Sequence, residues 1–192
     1  MNVDYKNIHG WFDYENLYDY AIEKLNNNAN IAECGCWVGK SSCYLNHKIK
    51  ESSKLINHFI FDSFEGNKEW DESEFHTLNH VILNNRSQYD TFMENKKKFN
   101  FEECVIIKGS FLETMKNFPD KFFDFIYIDM SHDVESVYSD LTMSYTKLKT
   151  NGFLAGHDYS HGNVKPAYDR FLSEYKTFDF KVIDNSCIFN KL

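Results

Sequence analysis

Proline and glycine are scarce in this chain. Two prolines and eight glycines in 192 residues leave no collagen-like, proline-rich or glycine-linker segment. No hinge divides the sequence, and its length predicts a single domain over residues 1–192. Positive charge is also short. Twenty-one Lys and Arg against 29 Asp and Glu leave a net charge of −8, and no basic run exceeds Lys96-Lys97-Lys98. A nucleic-acid backbone is therefore not the expected partner, and a small molecule is. No apolar run approaches the roughly 18 residues of a membrane span, and the first residues lack a basic segment followed by an apolar one. Neither membrane insertion nor secretion is expected, and a cytoplasmic location is. The five cysteines are odd in number and show no C-x-x-C pair, so neither a disulfide framework nor a zinc site is expected. Cys34 and Cys36 flank Gly35, where a small side chain is needed more than a reactive one.

Aromatic residues are plentiful: eighteen Phe, twelve Tyr and three Trp are enough for a packed core. Short apolar runs rich in β-branched and aromatic residues predict buried strands at Ile31–Cys34, Phe59–Phe61, Val105–Ile107, Phe125–Ile128 and Phe153–Ala155. Between them, Ser41–Lys50 reads as a helix with Ser41 and Ser42 as candidate caps. Val134–Leu148 carries apolar residues at helical spacing, and Asn151-Gly152 reads as the following turn. Val164–Tyr175 reads as a last helix, and Phe178–Ile183 with Cys187–Phe189 as a terminal hairpin. Alternating strands and helices imply right-handed crossovers. The predicted fold is α/β: a Rossmann-like, doubly wound, mostly parallel seven-stranded sheet with a C-terminal antiparallel hairpin. Residues 1–28 form an N-terminal helical or cap segment. Its aromatics, Tyr5, Trp11, Phe12, Tyr14, Tyr18 and Tyr20, would cap the sheet, cover a substrate mouth or pack across a homodimer. Residues 67–99, with Trp70, Phe75 and His76, fit the pattern least and read as an insertion or lid, or as a surface helix with a loop.

Ligands of such sheets bind where the strands end, and four of the predicted strand ends carry chemistry. The first runs into Glu33-Cys34-Gly35-Cys36-Trp37-Val38-Gly39-Lys40-Ser41. Gly35 permits a sharp turn there, and Gly39 would let backbone N–H groups approach a ligand at the helix start. The spacing is neither the G-x-G-x-x-G of pyrophosphate binders nor a nucleoside-triphosphate loop. The second strand ends at Asp62, which follows the glycines by about 20 residues, the separation at which a carboxylate accepts bonds from ribose hydroxyls. A turn-capping role is the plainer alternative. Asp129 and Asp158 follow two further strands and would meet at one sheet edge, a hard oxygen donor pair suited to Mg²⁺, Ca²⁺ or Mn²⁺. His132 and His157 beside them are candidates for a base or a further ligand.

Taken together, Glu33-x-Gly35-x-x-x-Gly39-x-Ser41, Asp62-Ser63-Phe64-Glu65-Gly66, Ile128-Asp129-Met130-Ser131-His132 and Ala155-Gly156-His157-Asp158-Tyr159 resemble class I S-adenosylmethionine-dependent methyltransferases. The similarity is greatest to the macrocin O-methyltransferase and cephalosporin-hydroxylase-like, family 24-like branch. It runs from Ala29 to the C-terminus. The resemblance implies that Glu33, Gly35 and Gly39 surround the methionine and ribose portions of S-adenosylmethionine, with Ser41 at the helix start. Asp62 and Ser63 would lie at the ribose, Phe64 would border the adenine, and Gly109 and Ser110 would meet the adenine edge. Asp129 would also touch the cofactor. The resemblance further implies Asp129 and Asp158 as ligands of Mg²⁺, with His157 standing where related enzymes place a second acidic residue. The activity implied is methylation of a hydroxyl on a small-molecule acceptor, a sugar, polyketide or phenolic product. Catalytic roles fall to Asp129, His132 and Asp158, with His132 the candidate base and Asp129 the runner-up. Three alternatives stay open: a metal-independent N- or O-methyltransferase, a non-catalytic S-adenosylmethionine-binding protein, and, disfavoured by the glycine spacing, a nicotinamide-dependent oxidoreductase.

Overall fold

The structure, a computed structural model, describes residues 4–66, residue 73 and residues 83–192. After a short 3₁₀ turn (Tyr5–Asn7), the elements in chain order are α1 (Glu15–Lys24), β1 (Ala29–Cys34), α2 (Lys40–Ser52), β2 (Ile56–Asp62), α3 (Gln88–Lys98), β3 (Val105–Lys108), α4 (Phe111–Met115), β4 (Phe123–Ile128), α5 (Val134–Lys147), β5 (Leu148–Gly156), α6 (Val164–Glu174), β6 (Thr177–Ile183) and β7 (Ser186–Lys191). The seven strands form one sheet in the order β3-β2-β1-β4-β5-β7-β6. Pairing is parallel from β3 to β5, and β7 and β6 are antiparallel additions. The strand order reverses between β1 and β4, which puts the ligand-binding crevice above those two strands.

Each central strand buries both faces. In β4, Phe125 and Tyr127 pack toward α1 and α2 with Tyr14, Leu17, Tyr18 and Leu45, while Ile126 and Ile128 pack toward α4, α5 and α6 with Met115, Leu141 and Phe171. That two-residue alternation with no polar side explains why the strand reads as a continuous apolar run. A third cluster, built from Val38, Cys43, Ile60, Phe64, Phe92 and Phe101, seats α3 beside β2. The N-terminal aromatics chiefly cap the sheet: Tyr14 stacks on Tyr127 at 4.6 Å between ring centroids, and Tyr18 meets the same ring edge-on at 5.0 Å.

Two local expectations need correction. Ser41 and Ser42 are not caps. The helix begins at Lys40 behind Gly39, which sits at φ 92° with no side-chain cap, and both serines lie inside the first turn. Asn151-Gly152 is not a turn before β5 but a bulge inside it: pairing with β4 jumps from Phe123↔Leu148 to Phe125↔Phe153, and Asn151 takes φ 64°. Trp70, Phe75 and His76 lie outside the described residues, and the described end of the 67–99 stretch is α3. All five cysteines are free. Burial holds the Cys34 and Cys36 thiols well above their ordinary value, which leaves them inert. Among the described residues no helix is long and apolar enough to cross a membrane.

Candidate active site

The strand ends of β1, β2, β3, β4 and β5 open into one cleft of about 1230 Å³. At the end of β1, Gly35 donates its N–H to Phe61 O (2.8 Å), and Asp129 N–H donates to Cys34 O (2.8 Å), so the two loops are tied together. Gly35 has φ 86°, and a Cβ there would lie 1.8 Å from the backbone oxygen of Asp129. Only glycine fits. Gly39 has a different reason for being glycine. Its N–H bonds Cys36 O (2.9 Å), and a Cβ would run into Phe101 and Phe92 at 2.8 and 3.0 Å. It secures the seating of α3 and does not border the cleft, contrary to the sequence expectation.

Glu33 also stands back from the cleft. It is fully buried beneath the loop, where its carboxylate accepts from Tyr18 Oη (3.1 Å), Ser42 Oγ (2.5 Å) and His58 Nε2 (3.2 Å). Three donors from three elements make it the anchor of the loop's lower side. Glu33→Gln turns an amide toward donors that have lost their acceptor. It should cost about 2 kcal/mol, read as a lowered thermal midpoint with S-adenosylhomocysteine absent.

Asp62, at the end of β2, holds the upper side of the same loop. Oδ2 accepts from the N–H groups of Cys36 (2.9 Å) and Trp37 (3.0 Å), and Oδ1 accepts from Phe64 N–H (2.7 Å). Burial pushes its carboxyl above the ordinary range, and these three N–H groups oppose the shift. It borders the cleft together with Ser41, Ser63, Gly109 and Ser110. Phe64 does not. It packs against Tyr89 and Phe92 in the core, so the expectation that it borders an adenine is replaced by a structural role.

The ends of β4 and β5, paired through Ile128↔Gly156, bring Asp129, His132, His157 and Asp158 together. His132 Nε2 lies 3.2 Å from Asp158 Oδ2. His157 Nδ1 lies 3.5 Å from Asp129 Oδ1 and 3.4 Å from Asp158 Oδ2, and its Nε2 is 2.7 Å from Asp13 Oδ1. Burial works against a charge on His157, but its hydrogen bonds to Asp129 and Asp158 outweigh it and raise the pKa to about 11. Hydrogen bonds from His132 and His157 hold the Asp158 carboxyl well below the usual carboxylate range. His157 thus stands between carboxylates, with Nε2 toward Asp13 and Nδ1 toward Asp129 and Asp158. The ligand atoms that converge belong instead to Asp129, His132 and Asp158, all within 4.8 Å of one another. Two oxygens and one nitrogen suit a divalent cation such as Mn²⁺ or Mg²⁺, so the residues present fit the group, with His132 in the place expected of His157.

Several neighbours complete the site, and Asn185 among them had no signal in the sequence. Tyr14 Oη donates to Asp129 Oδ2 (3.3 Å), and its burial, reinforced by the charge of Asp129, keeps it protonated. Asn185, in the turn between β6 and β7, donates to Asp158 Oδ1 (2.8 Å). Trp11 and Trp37 meet at 5.4 Å at the mouth, and Lys40 Nζ donates to Gly10 O (2.9 Å), fixing the strap that carries Trp11. These contacts join residues distant in the chain and follow no local spacing. Among the described residues, eight carboxyl side chains line the cleft against one lysine, Lys40.

Comparison with known proteins bears on the fold and the family. No curated protein matches the chain in sequence. Among solved structures, the O-methyltransferase NovP superposes with a TM-score of 0.71 at 17% identity, over 92% of this chain and 78% of NovP. The SMU.1697c protein of Streptococcus mutans, solved in complex with S-adenosylhomocysteine, superposes at 0.61 with 13% identity, over 96% of this chain and all of its own. Precorrin-6y C5,15-methyltransferase from Geobacter metallireducens superposes at 0.61 with 12% identity, over 92% of this chain and 88% of that one. At such identities the likeness is one of fold. The family model described as a methyltransferase domain matches residues 32–159, from the middle of β1 past Asp158. With more than half of its length matched, the chain belongs to that family, the S-adenosylmethionine-dependent methyltransferases of class I.

Proposed function

We propose that the protein methylates a hydroxyl group on a small acceptor that is neutral or positively charged. The observation that carries the reading is the convergence of Asp129, His132 and Asp158 within the same cleft as the Gly35 loop. O-methyl transfer is also the activity named for NovP. S-adenosylmethionine supplies a methyl group already activated by its sulfonium charge. The chain then has two tasks, to line up the acceptor oxygen behind that methyl and to take the hydroxyl proton. His132, oriented by Asp158 at 3.2 Å, is the proton acceptor, and the ionised Asp158 stabilises the imidazolium that forms. Tyr14 and His157 hold Asp129 in place from its two oxygens.

A divalent cation held by Asp129, His132 and Asp158 would supply Lewis-acid polarisation of the acceptor hydroxyl, and His132 would then be a ligand and not the base. The metal-independent reading is favoured by one contact set: His157 Nδ1 already lies within 3.5 Å of both Asp129 and Asp158. Turnover measured in excess chelator and again with added Mg²⁺ separates the two, since full activity in chelator removes the metal.

The test of the whole reading is calorimetric titration with S-adenosylhomocysteine, followed by methyl transfer to a panel of hydroxylated acceptors. Saturable binding and turnover are expected, and the absence of binding would overturn it. The acidic cleft adds a prediction within the panel. A carboxylated or phosphorylated acceptor should show kcat/KM at least about 10-fold below its neutral parent, with the gap narrowing as salt rises. Equal rates for the charged and neutral members would refute the charge preference.

A further inference from the structure

The strap from Gly10 to Tyr14 borders the cleft and treats its aromatic side chains unequally. Tyr14 is buried, and Phe12 packs among Tyr5, Tyr14 and Tyr44. Trp11 is 69% exposed, more than any other large apolar side chain among the described residues, and its ring contact is with Trp37, tilted by 43° at 5.4 Å. A single exposed apolar residue on an ordinary surface needs no explanation. This one lines a ligand cleft and stands on a fixed segment. Lys40 Nζ donates to Gly10 O (2.9 Å), Asp13 Oδ1 lies 2.7 Å from His157 Nε2, and Tyr14 Oη donates to Asp129 Oδ2 (3.3 Å). Two residues of chain span at most about 7 Å, so Trp11 is held close to the residue that meets His157. A molecule resting on its indole is within reach of Asp129, His132 and Asp158. The same three contacts commit the strap's nearest polar atoms to protein partners, and what it leaves open to a ligand is chiefly ring surface. A polyol brings many hydroxyls, each of which must exchange water for a new partner. An aromatic ring brings a flat apolar face, which an indole covers without hydrogen bonds. Its one hydroxyl can then turn to the acidic group.

We infer that Trp11 is the stacking platform of the acceptor subsite and that the acceptor is a phenol, its ring against the indole and its hydroxyl at the acidic group. This rests on the proposed methyl-transfer reading and names its substrate class and one specificity residue. The test is calorimetric titration of the S-adenosylhomocysteine complex with three neutral probes: phenol, its saturated counterpart cyclohexanol, and methyl glucoside. The wild-type complex should bind phenol about 3- to 10-fold more tightly than cyclohexanol, the margin that aromatic pairing adds to burial, and methyl glucoside more weakly than either. Trp11→Ala should weaken phenol binding by at least about 10-fold and bind phenol and cyclohexanol alike. Trp11→Phe, which keeps a smaller ring, should retain part of the preference. Because the indole is mostly exposed, its loss leaves the fold in place, and Trp11→Ala should bind S-adenosylhomocysteine as the wild type does. A Trp11→Ala complex that binds phenol like the wild type overturns the inference, as does a wild-type complex that binds methyl glucoside best or binds none of the probes. Those results leave the cofactor reading intact. Failure of the wild-type protein to bind S-adenosylhomocysteine overturns that reading itself.

Discussion

Gly35→Ala should abolish measurable S-adenosylhomocysteine binding and lower the thermal midpoint by about 6–12 °C. The added methyl would fall 1.8 Å from the backbone oxygen of Asp129, at a φ of 86° that non-glycine residues rarely adopt. A flexible side chain could swing aside, but this obstacle is main chain. Its own N–H is bonded to Cys34 O, while the Gly35 N–H is bonded to Phe61 O, so relief would have to break the ties joining β1, β2 and β4 at their ends. Strain of this kind costs about 3 kcal/mol, and each kcal/mol moves the midpoint of a domain this size by about 2–4 °C. Gly39→Ala is the instructive control. Its Cβ would meet the rings of Phe101 and Phe92 behind the loop, so it should lower stability while leaving much of the ligand affinity in the molecules that stay folded. A Gly35→Ala protein that binds normally and melts within a degree or two of the wild type would show that the loop is not shaped as described.

The contrast between these glycines shows how far the sequence could be read. Strand positions were legible because β1, β2 and β4 are buried on both faces and appear as apolar runs, and because a polar or glycine residue ends each of them. The strand-end rule then located Gly35, Asp62, Asp129 and Asp158, and all four border the cleft. Spacing alone did not reveal which face of the loop a side chain takes. Glu33 and Asp62 are both acidic and both at strand ends. Yet Glu33 points beneath the loop to Tyr18, Ser42 and His58, whereas Asp62 is level with it and holds its N–H groups. His132 and His157 presented the same ambiguity. Only the folded positions separate them: Asp13 and Asp129 lie on either side of His157, and His132 stands with the converging carboxylates.

Asp129→Asn should lower kcat by about 100- to 10,000-fold while changing the S-adenosylhomocysteine affinity far less. Asparagine fills the same volume, and its carbonyl oxygen can still accept from Tyr14 Oη, so the aromatic stack of Tyr14 on Tyr127 and the tie from Asp129 N–H to Cys34 O stay in place. What disappears is a negative charge next to His157 and, on the proposed mechanism, at the point where the acceptor hydroxyl loses its proton. His157 would keep Asp13 and Asp158 as partners, and the site would hold one anion fewer to balance an arriving positive charge. The split between kcat and affinity is what separates a role at the reacting atoms from a role in shaping the loop, since a distorted loop would weaken binding in parallel. Repeating the measurement in chelator distinguishes the two forms of the mechanism. If a divalent cation takes part, the wild-type protein in chelator should fall toward the rate of the variant, and the variant should fall no further. If His132 acts alone as base, chelator should leave the wild type unchanged and the deficit of Asp129→Asn should persist in full. A variant that retains wild-type kcat under both conditions would remove Asp129 from the chemistry and leave His132 and Asp158 as the pair that carries it.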